Sequence, residues 1–167
     1  MSAVLTILGV GSPFGDDRVG WSAAALLGAS ASVANSAGQV DVRILDRPGS
    51  LLLSEFSHAQ GVIVIDALCS GAVPGTIQRL EADAVCATRA LVSSHAFGVA
   101  QAVGLARSLG SLPQRFMFFG VEADRQHTGT GLSPAVSAAL PQLVGQVIQQ
   151  AVAWRMLAPA AAERMAG

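Results

Sequence analysis

The sequence predicts a three-layer α/β/α domain built around a mostly parallel sheet. Short runs of apolar and β-branched residues alternate along the chain with stretches whose apolar positions have helical spacing, which is the pattern of this fold class. The chain has 167 residues, of which 51% are hydrophobic and 13% charged. That is enough for one domain with a buried core, and too apolar for a disordered chain.

Five segments have the pattern of strands, and each is bounded by glycine, proline or polar residues. The run over residues 61–65 is the most apolar and is predicted to be central, whereas residues 76–80 are shorter and more polar, which favours a position at or near an edge. In chain order the predicted strands are Val4 to Leu8, Val40 to Leu45, Gly61 to Ile65, Thr76 to Leu80 and Arg115 to Val121.

Four helices are predicted between and after these strands. The first has apolar positions from Val19 to Leu27, with Asp16 or Asp17 as its cap and Gly28 as its end. A short helix covers Leu51 to Phe56, a third runs from about Ser94 to Leu109, and Ser133 with Pro134 opens the last. Pro141 either kinks this last helix or marks its true first turn. We assign residues 1–157 to a single domain and residues 158–167 to a frayed, Ala-rich tail.

The composition excludes several classes of function. All ten cationic residues are Arg, and neither Lys nor Tyr occurs, which rules out a lysine Schiff base, a phosphate-binding Walker lysine and a catalytic tyrosine. A net charge of −1 with scattered arginines argues against nucleic acid as a partner. The N-terminus lacks a basic signal region and no apolar run is long enough to span a bilayer, so we expect a cytoplasmic protein without membrane contact. Cys69 and Cys86 are expected to be reduced and mostly buried.

Acidic residues follow three of the predicted strands: Asp16 and Asp17 after the first, Asp46 after the second and Asp66 after the third. The carboxyl ends of parallel strands share one edge of a sheet, where ligands bind in this fold class. For any one of these residues taken alone, a helix cap is the simpler role. One cap needs only one of Asp16 and Asp17, however, and an ionised Asp66 beside so apolar a strand needs a partner or a metal.

Among the histidines, His95 follows Ser93 and Ser94 at the predicted start of the third helix, where the helix dipole lowers the proton affinity of an imidazole. A neutral histidine beside two carboxylates suits a borderline divalent cation such as Ni²⁺ or Zn²⁺. A helix-start histidine that only hydrogen-bonds a neighbouring loop is the alternative, and spacing alone favours it. His58 and His127 are interpreted as solvated loop residues.

Other catalytic classes have weaker support. The segment GVGSPFG over residues 9–15 has the spacing GxGxxxG instead of the dinucleotide-binding spacing GxGxxG, and it contains a proline. It also precedes two acids that would repel a pyrophosphate. A dinucleotide site with Asp46 as its ribose acid is therefore poorly supported. No GxSxG motif marks a serine nucleophile, and neither cysteine lies in a protease motif.

Taken as a set, the motifs resemble those of the hydrogenase maturation proteases, endopeptidases that trim the C-terminal extension of the [NiFe] hydrogenase large subunit. The resemblance lies in ILGVGSPFGDDRVG (residues 7–20), VIVIDA (62–67), Ser94-His95 with Gly98, FFGVE (118–122) and GLSPAV (131–136). It implies an α/β/α sandwich of the phosphorylase/hydrolase-like class, whose five-stranded mixed sheet has one antiparallel strand. Residues 76–80 are our candidate for that strand.

The resemblance also implies a site and a partner. The family's metal ligands correspond to Asp17, Asp66 and His95, with Asp16 as a supporting acid or possible base. The cation would be Ni²⁺ carried by a nickel-loaded large-subunit precursor, and Zn²⁺ or Cd²⁺ could take the place of this Ni²⁺. The protease itself is expected to be a monomer. The metal could polarise the scissile carbonyl, activate water, or mainly position the substrate.

Three positions depart from the family pattern. Ser12 stands where the family usually has Asn, Arg18 where it has Gly, and Arg47-Pro48-Gly49-Ser50 where Gly-Gly-Thr tends to follow the acid after the second strand. The metal ligands are retained while a loop near the substrate has changed. This leaves two hypotheses: a maturation endopeptidase, or a nickel-sensing binding partner or chaperone that does not cleave.

Overall fold

The computed structural model describes residues 4–88 and 98–157, and over these residues it contains one five-stranded sheet. Its strands are β1 (Leu5–Gly11), β2 (Val40–Asp46), β3 (Gly61–Leu68), β4 (Ile77–Leu80) and β5 (Arg115–Glu122). Their order is β2-β1-β3-β5-β4, with β4 antiparallel to β5 and the other pairs parallel. The mixed sheet, the central position of β3 and the antiparallel edge strand are therefore confirmed.

Helices cover both faces of this sheet. Within the described residues they are α1 (Val19–Gly28), α2 (Ala31–Ala34), α3 (Leu52–Phe56), α4 (Ala82–Ala87), α5 (Val99–Ser108) and α6 (Pro134–Ala153), and 3₁₀ turns cover Gly15–Arg18 and Gly49–Leu51. The short helices α2 and α4, of four and six residues, were not predicted, because fewer than two turns show no clear period in the sequence; α3 is as short, but the Pro48-Gly49 turn marks its start.

The core forms two layers, because alternate residues of each strand face opposite sides of the sheet. Ile63 and Ile65 pack in one apolar cluster with residues of α1 and α6. Val62 and Val64 pack in the other, with residues of α3 and α5. The sheet therefore lies between two helical layers, as predicted for a three-layer sandwich.

Two predicted helix starts are wrong. Neither Asp16 nor Asp17 caps α1, because both lie in the 3₁₀ turn before it, and Arg18 at the N-cap has helical dihedral angles without a side-chain cap. The third helix was predicted from about Ser94 but begins at Val99, because Gly98 is extended and its N–H donates to the Gln101 side chain at 3.0 Å. Positions 89–97, including Ser93 and Ser94, lie outside the described residues.

The start of the last helix is confirmed. Ser133 is the N-cap of α6, its Oγ accepts a hydrogen bond from the N–H of Val136 at 3.4 Å, and Pro134 is the first helical residue. The helix continues through Pro141, which therefore does not mark the first turn. None of the helices in the described ranges combines the length and the apolar character needed to cross a membrane.

Candidate active site

The candidate site lies at the carboxyl ends of β1 and β3, which are neighbours in the sheet. Asp66 belongs to the end of β3 itself, opposite Gly120 of β5, and Asp17 lies in the 3₁₀ turn that follows β1. This turn lies tight against the strand end, because a Cβ atom added at Gly11 would come within 1.9 Å of the carbonyl oxygen of Asp17. Glycine at position 11 is thus what allows Asp17 to sit at this edge.

The two carboxylates influence each other electrostatically. Burial raises the pKa of Asp66 well above its ordinary value. The N–H of Ala67 donates to Asp66 Oδ1 at 2.7 Å and lowers this pKa, whereas the negative charge of Asp17 raises it further. No group of the described residues hydrogen-bonds to the Asp17 side chain. Two acids that repel each other and have spare oxygen lone pairs form a site that a cation would stabilise.

Asp16 is held by hydrogen bonds to residues other than this pair. Its side chain is buried, and its carboxylate accepts hydrogen bonds from the N–H of Asp124 at 2.8 Å, from the N–H of Ser133 at 2.6 Å and from the Ser133 hydroxyl at 2.8 Å. Asp16 therefore fastens the turn that carries Asp17 to the loop after β5 and to the start of α6. These hydrogen bonds give Asp16 a structural role, in which it holds the turn in place. A role of Asp16 as catalytic acid or base stays a prediction.

His95, the third predicted ligand, lies outside the described residues. Within the ranges that are described, no three His, Cys, Asp or Glu side chains are grouped so as to hold a metal. The structure thus brings Asp17 and Asp66 to one edge, and the complete ligand set of Asp17, Asp66 and His95 stays a prediction.

Asp46 and Arg47 lie beside the acid pair at the end of β2. Arg47 has a φ of 43°, in the left-handed region that favours glycine, and its N–H donates to the carbonyl oxygen of Gly11 at 2.9 Å. Its guanidinium binds both oxygens of Asp46, at 2.6 and 3.0 Å, and the pKa of Arg47 is raised by this hydrogen bond and charge and also by the charge of Asp17. The arginine at position 47 therefore places a cation within electrostatic reach of Asp17.

Glu122, at the end of β5, is a structural acid that sequence reasoning did not single out. It is buried, and its carboxylate accepts hydrogen bonds from the N–H and hydroxyl of Ser70, at 3.0 and 2.6 Å, and from the N–H of Gly71 at 2.9 Å. These bonds fix the loop that follows β3. The signal was available, since Glu122 follows a buried strand just as the aspartates do.

The two cysteines are not buried, so that prediction is wrong. Cys69 and Cys86 are both free thiols and both exposed, because Cys69 follows the end of β3 and Cys86 lies on the outer side of α4. Partial desolvation of the Cys69 thiol raises its pKa, the charge of Arg125 lowers it, and the charges of Glu122, Asp17 and Asp66 raise it further. Cys69 therefore lies within electrostatic reach of the candidate site, with its thiol protonated at neutral pH.

The other histidines occupy loops, as predicted. His58 is exposed, and a ring nitrogen of His127 bonds the carbonyl oxygen of Gly131 at 3.0 Å. Within the described residues, neither histidine forms a hydrogen bond or ion pair with Asp17 or Asp66. A dinucleotide pyrophosphate needs a helix N-terminus directly after the glycine turn, but here a 3₁₀ turn that carries two acids comes between Gly11 and α1.

Comparison with known proteins gives a consistent result. The family model "HycI: Hydrogenase maturation protease" matches residues 37–150. A hydrogenase expression/formation protein, HupD of Rhodobacter capsulatus, is 29% identical over 119 residues, which are 68% of this chain and 57% of that protein's own length.

Solved structures share the fold. The hydrogenase maturating endopeptidase HybD of E. coli has a TM-score of 0.70 and 25% identity, with 88% of this chain and 91% of that chain covered. The [NiFe] hydrogenase maturation protease HybD of Thermococcus kodakarensis has a TM-score of 0.60 and 18% identity, with 88% and 98% covered. These matches extend the similarity to the fold over most of the chain. Because the family model matches more than half of its residues, the chain belongs to the hydrogenase maturation protease family, a family of endopeptidases.

Proposed function

We propose that this protein is an endopeptidase that removes the C-terminal extension of a [NiFe] hydrogenase large-subunit precursor after nickel has been inserted. Asp17, Asp66 and His95 bind the nickel that the precursor carries, so the metal belongs to the substrate. The observation that supports this most directly is the pair of interacting carboxylates at the carboxyl ends of β1 and β3 in a member of this family.

Nickel recognition by these side chains makes cleavage conditional on metal insertion. Two carboxylates and an imidazole are ordinary ligands for a borderline divalent cation, and they would bind it while the precursor supplies the remaining ligands. A precursor without nickel lacks the cation that neutralises the repulsion between Asp17 and Asp66. Such a precursor therefore binds less tightly, and its extension stays attached.

The direct test is to incubate the protein with nickel-loaded and nickel-free precursor and to measure the mass of the large subunit. We expect loss of the C-terminal peptide from the loaded form alone. Intact loaded precursor would contradict the protease proposal, and co-purification without a change in mass would favour the non-cleaving binding partner. Equal cleavage of both forms would contradict nickel recognition.

The ligand assignment is tested with the metal alone. We expect His95→Ala and Asp17→Asn each to weaken binding of Ni²⁺, or of Cd²⁺ as a substitute, by about tenfold or more, measured by isothermal titration calorimetry. His58→Ala is the matched control, because His58 is an exposed loop histidine. Unchanged Ni²⁺ affinity in His95→Ala would show that the ligand set is wrong.

A further inference from the structure

Three exposed apolar side chains lie on loops at the edge of the sheet that carries the candidate site. Among the exposed large apolar residues of the described ranges, Val73 at 76%, Leu51 at 69% and Phe14 at 68% have the highest exposed fractions. Each follows the carboxyl end of a different parallel strand, since Phe14 comes after β1, Leu51 after β2 and Val73 after β3. These strands are neighbours, so the three side chains, which we call the apolar rim, share the edge that carries Asp17 and Asp66.

The backbone around the rim is held in place, so this exposure is built into the fold. The carbonyl oxygen of Phe14 accepts from the N–H of Asp17 at 3.2 Å, and Leu51 directly precedes the buried Leu52. The loop of Val73 is fixed on one side by the bond from Gly71 to the Glu122 carboxylate, and on the other by the bond from the N–H of Gly75 to the Glu122 carbonyl at 2.8 Å. Apolar side chains exposed on fixed loops at one edge are available to a partner that covers that edge and would bury them together.

Two cations lie at the same edge, Arg18 on the loop after β1 that carries Phe14 and Arg125 on the loop after β5. Arg18 ends the 3₁₀ turn that carries Asp17, and Arg125 follows Asp124, whose N–H bonds Asp16. Both guanidinium groups are exposed, and neither is within ion-pair distance of a carboxylate in the part of the chain that is described. A partner that covers this edge therefore meets apolar side chains and unpaired positive charge around an acidic centre.

We infer that the apolar rim, with Arg18 and Arg125, is the docking surface for the segment of the large-subunit precursor that surrounds its nickel. This inference rests on the proposed function and adds to it the chemistry of the substrate segment. That segment carries apolar side chains that pack on the rim and at least one carboxylate that pairs with an arginine. Charge complementarity favours this occupant, because a cation stabilises the acid pair while the exposed arginines attract carboxylates, and a nickel-loaded polypeptide can offer both.

The test compares substitutions on the rim with one on the opposite edge. We expect the triple variant F14S/L51S/V73S to raise KM for nickel-loaded precursor by about tenfold or more with kcat within about twofold, because it loses contacts made on docking. Ni²⁺ alone should bind it as tightly as it binds the unaltered protein. The control L109S replaces an equally exposed side chain, at 66%, beyond the end of α5, and should leave KM unchanged. Circular dichroism checks that each variant is folded.

The arginines are tested separately, which keeps the inference falsifiable if the triple variant folds poorly. R18E/R125E should raise KM by about fivefold or more and reduce its dependence on salt. A KM unchanged in both sets of variants, while the unaltered protein still cleaves, would overturn the inference and leave the proposed function intact. No cleavage by the unaltered protein would overturn both. A dimer that F14S/L51S/V73S dissociates would assign the rim to self-association and would also overturn the inference.

Discussion

Two adjacent aspartates in this chain have opposite surroundings. Asp16 is buried with three hydrogen-bond donors on its carboxylate, whereas no described group donates to the side chain of Asp17. Consecutive residues of a tight turn point in different directions, so one can fasten the turn to the rest of the domain while its neighbour faces the site. Acids that look equivalent in the sequence thus have separate roles.

The anchoring role of Asp16 predicts a large loss of stability on substitution. In Asp16→Asn one carboxylate oxygen becomes an NH₂ group that faces N–H and O–H donors, so buried donors lose their acceptor. We expect the free energy of unfolding, measured in urea, to fall by about 2–3 kcal/mol. Asp41→Asn is the control, because Asp41 forms a surface ion pair with Arg43, and it should cost about 0–1 kcal/mol. Similar losses in the two variants would contradict the anchor.

Asp66 should destabilise the folded protein as the pH rises. Its folded pKa is raised by burial, so the folded state holds the proton more tightly than the unfolded chain. Stability is therefore lost as pH rises from the ordinary aspartate pKa of about 4 through the raised folded value. In metal-free buffer, Asp66→Asn should be more stable than the unaltered protein by on the order of 1–2 kcal/mol above the raised pKa, with no gain near pH 4. A gain that is independent of pH would contradict this explanation, and Asp41→Asn again serves as control.

At the scale of the elements, close approach of α1 to the sheet positions the site. A Cβ atom added at Gly20 would come within 2.2 Å of the carbonyl oxygen of Val10 and 2.5 Å of that of Ile65, and one added at Gly9 would come within 2.2 Å of the carbonyl oxygen of Gly20. The start of α1 therefore rests directly on the ends of β1 and β3. The Trp21 indole N–H adds a hydrogen bond to the carbonyl oxygen of Leu45 at 3.0 Å, which ties the same helix to β2.

This packing predicts a strong effect of a single methyl group. Gly20→Ala forces α1 away from two backbone carbonyls that cannot move independently of the sheet, so we expect a loss of on the order of 3 kcal/mol in the free energy of unfolding. Gly104→Ala is the matched control: Gly104 lies inside α5 with nothing within 4 Å of the added atom, and alanine should stabilise that helix by about 0.5–1 kcal/mol. A urea titration of each variant measures both effects, and a Gly20→Ala variant as stable as the unaltered protein would contradict the close packing of α1 on the sheet.

For the whole molecule, much of the fold could be predicted from the sequence because long apolar periods decide it. Local sequence rules that no tertiary contact overrides were enough for several elements. They identify the buried apolar strands β3 and β5, the more polar strand β4, and the start of α6 at Ser133-Pro134. The start of α5 was missed because it depends on the extended conformation of Gly98, and the exposure of both cysteines because it depends on which side of an element faces solvent.

The candidate site was predictable in part. The rule that ligands gather at strand ends correctly placed Asp17 and Asp66 at one edge, because parallel strands end on the same side of a sheet. It could not distinguish Asp17 from Asp16, since the direction of the Asp16 side chain depends on hydrogen bonds to residues more than 100 positions away. Glu122 satisfied the same rule, yet its three donors come from a loop over 50 residues earlier in the chain.

The charge of the whole edge predicts that Arg47 limits the affinity of the free protein for cations. Its guanidinium lies within electrostatic reach of Asp17, so Arg47→Gly should strengthen binding of Ni²⁺ alone by about two- to fivefold in calorimetry, an effect that salt reduces. Glycine at this position also relieves the positive φ of 43°. Arg155→Gly separates the two effects, because exposed Arg155 has a φ of 58° after the end of α6, and its replacement relieves the same backbone strain without changing the charge near Asp17. Tighter Ni²⁺ binding in both variants would therefore contradict the electrostatic explanation. Tighter binding in Arg47→Gly alone would show that the charge of Arg47 weakens the affinity of the free site for Ni²⁺. The site would then depend on a cation that the partner protein already holds.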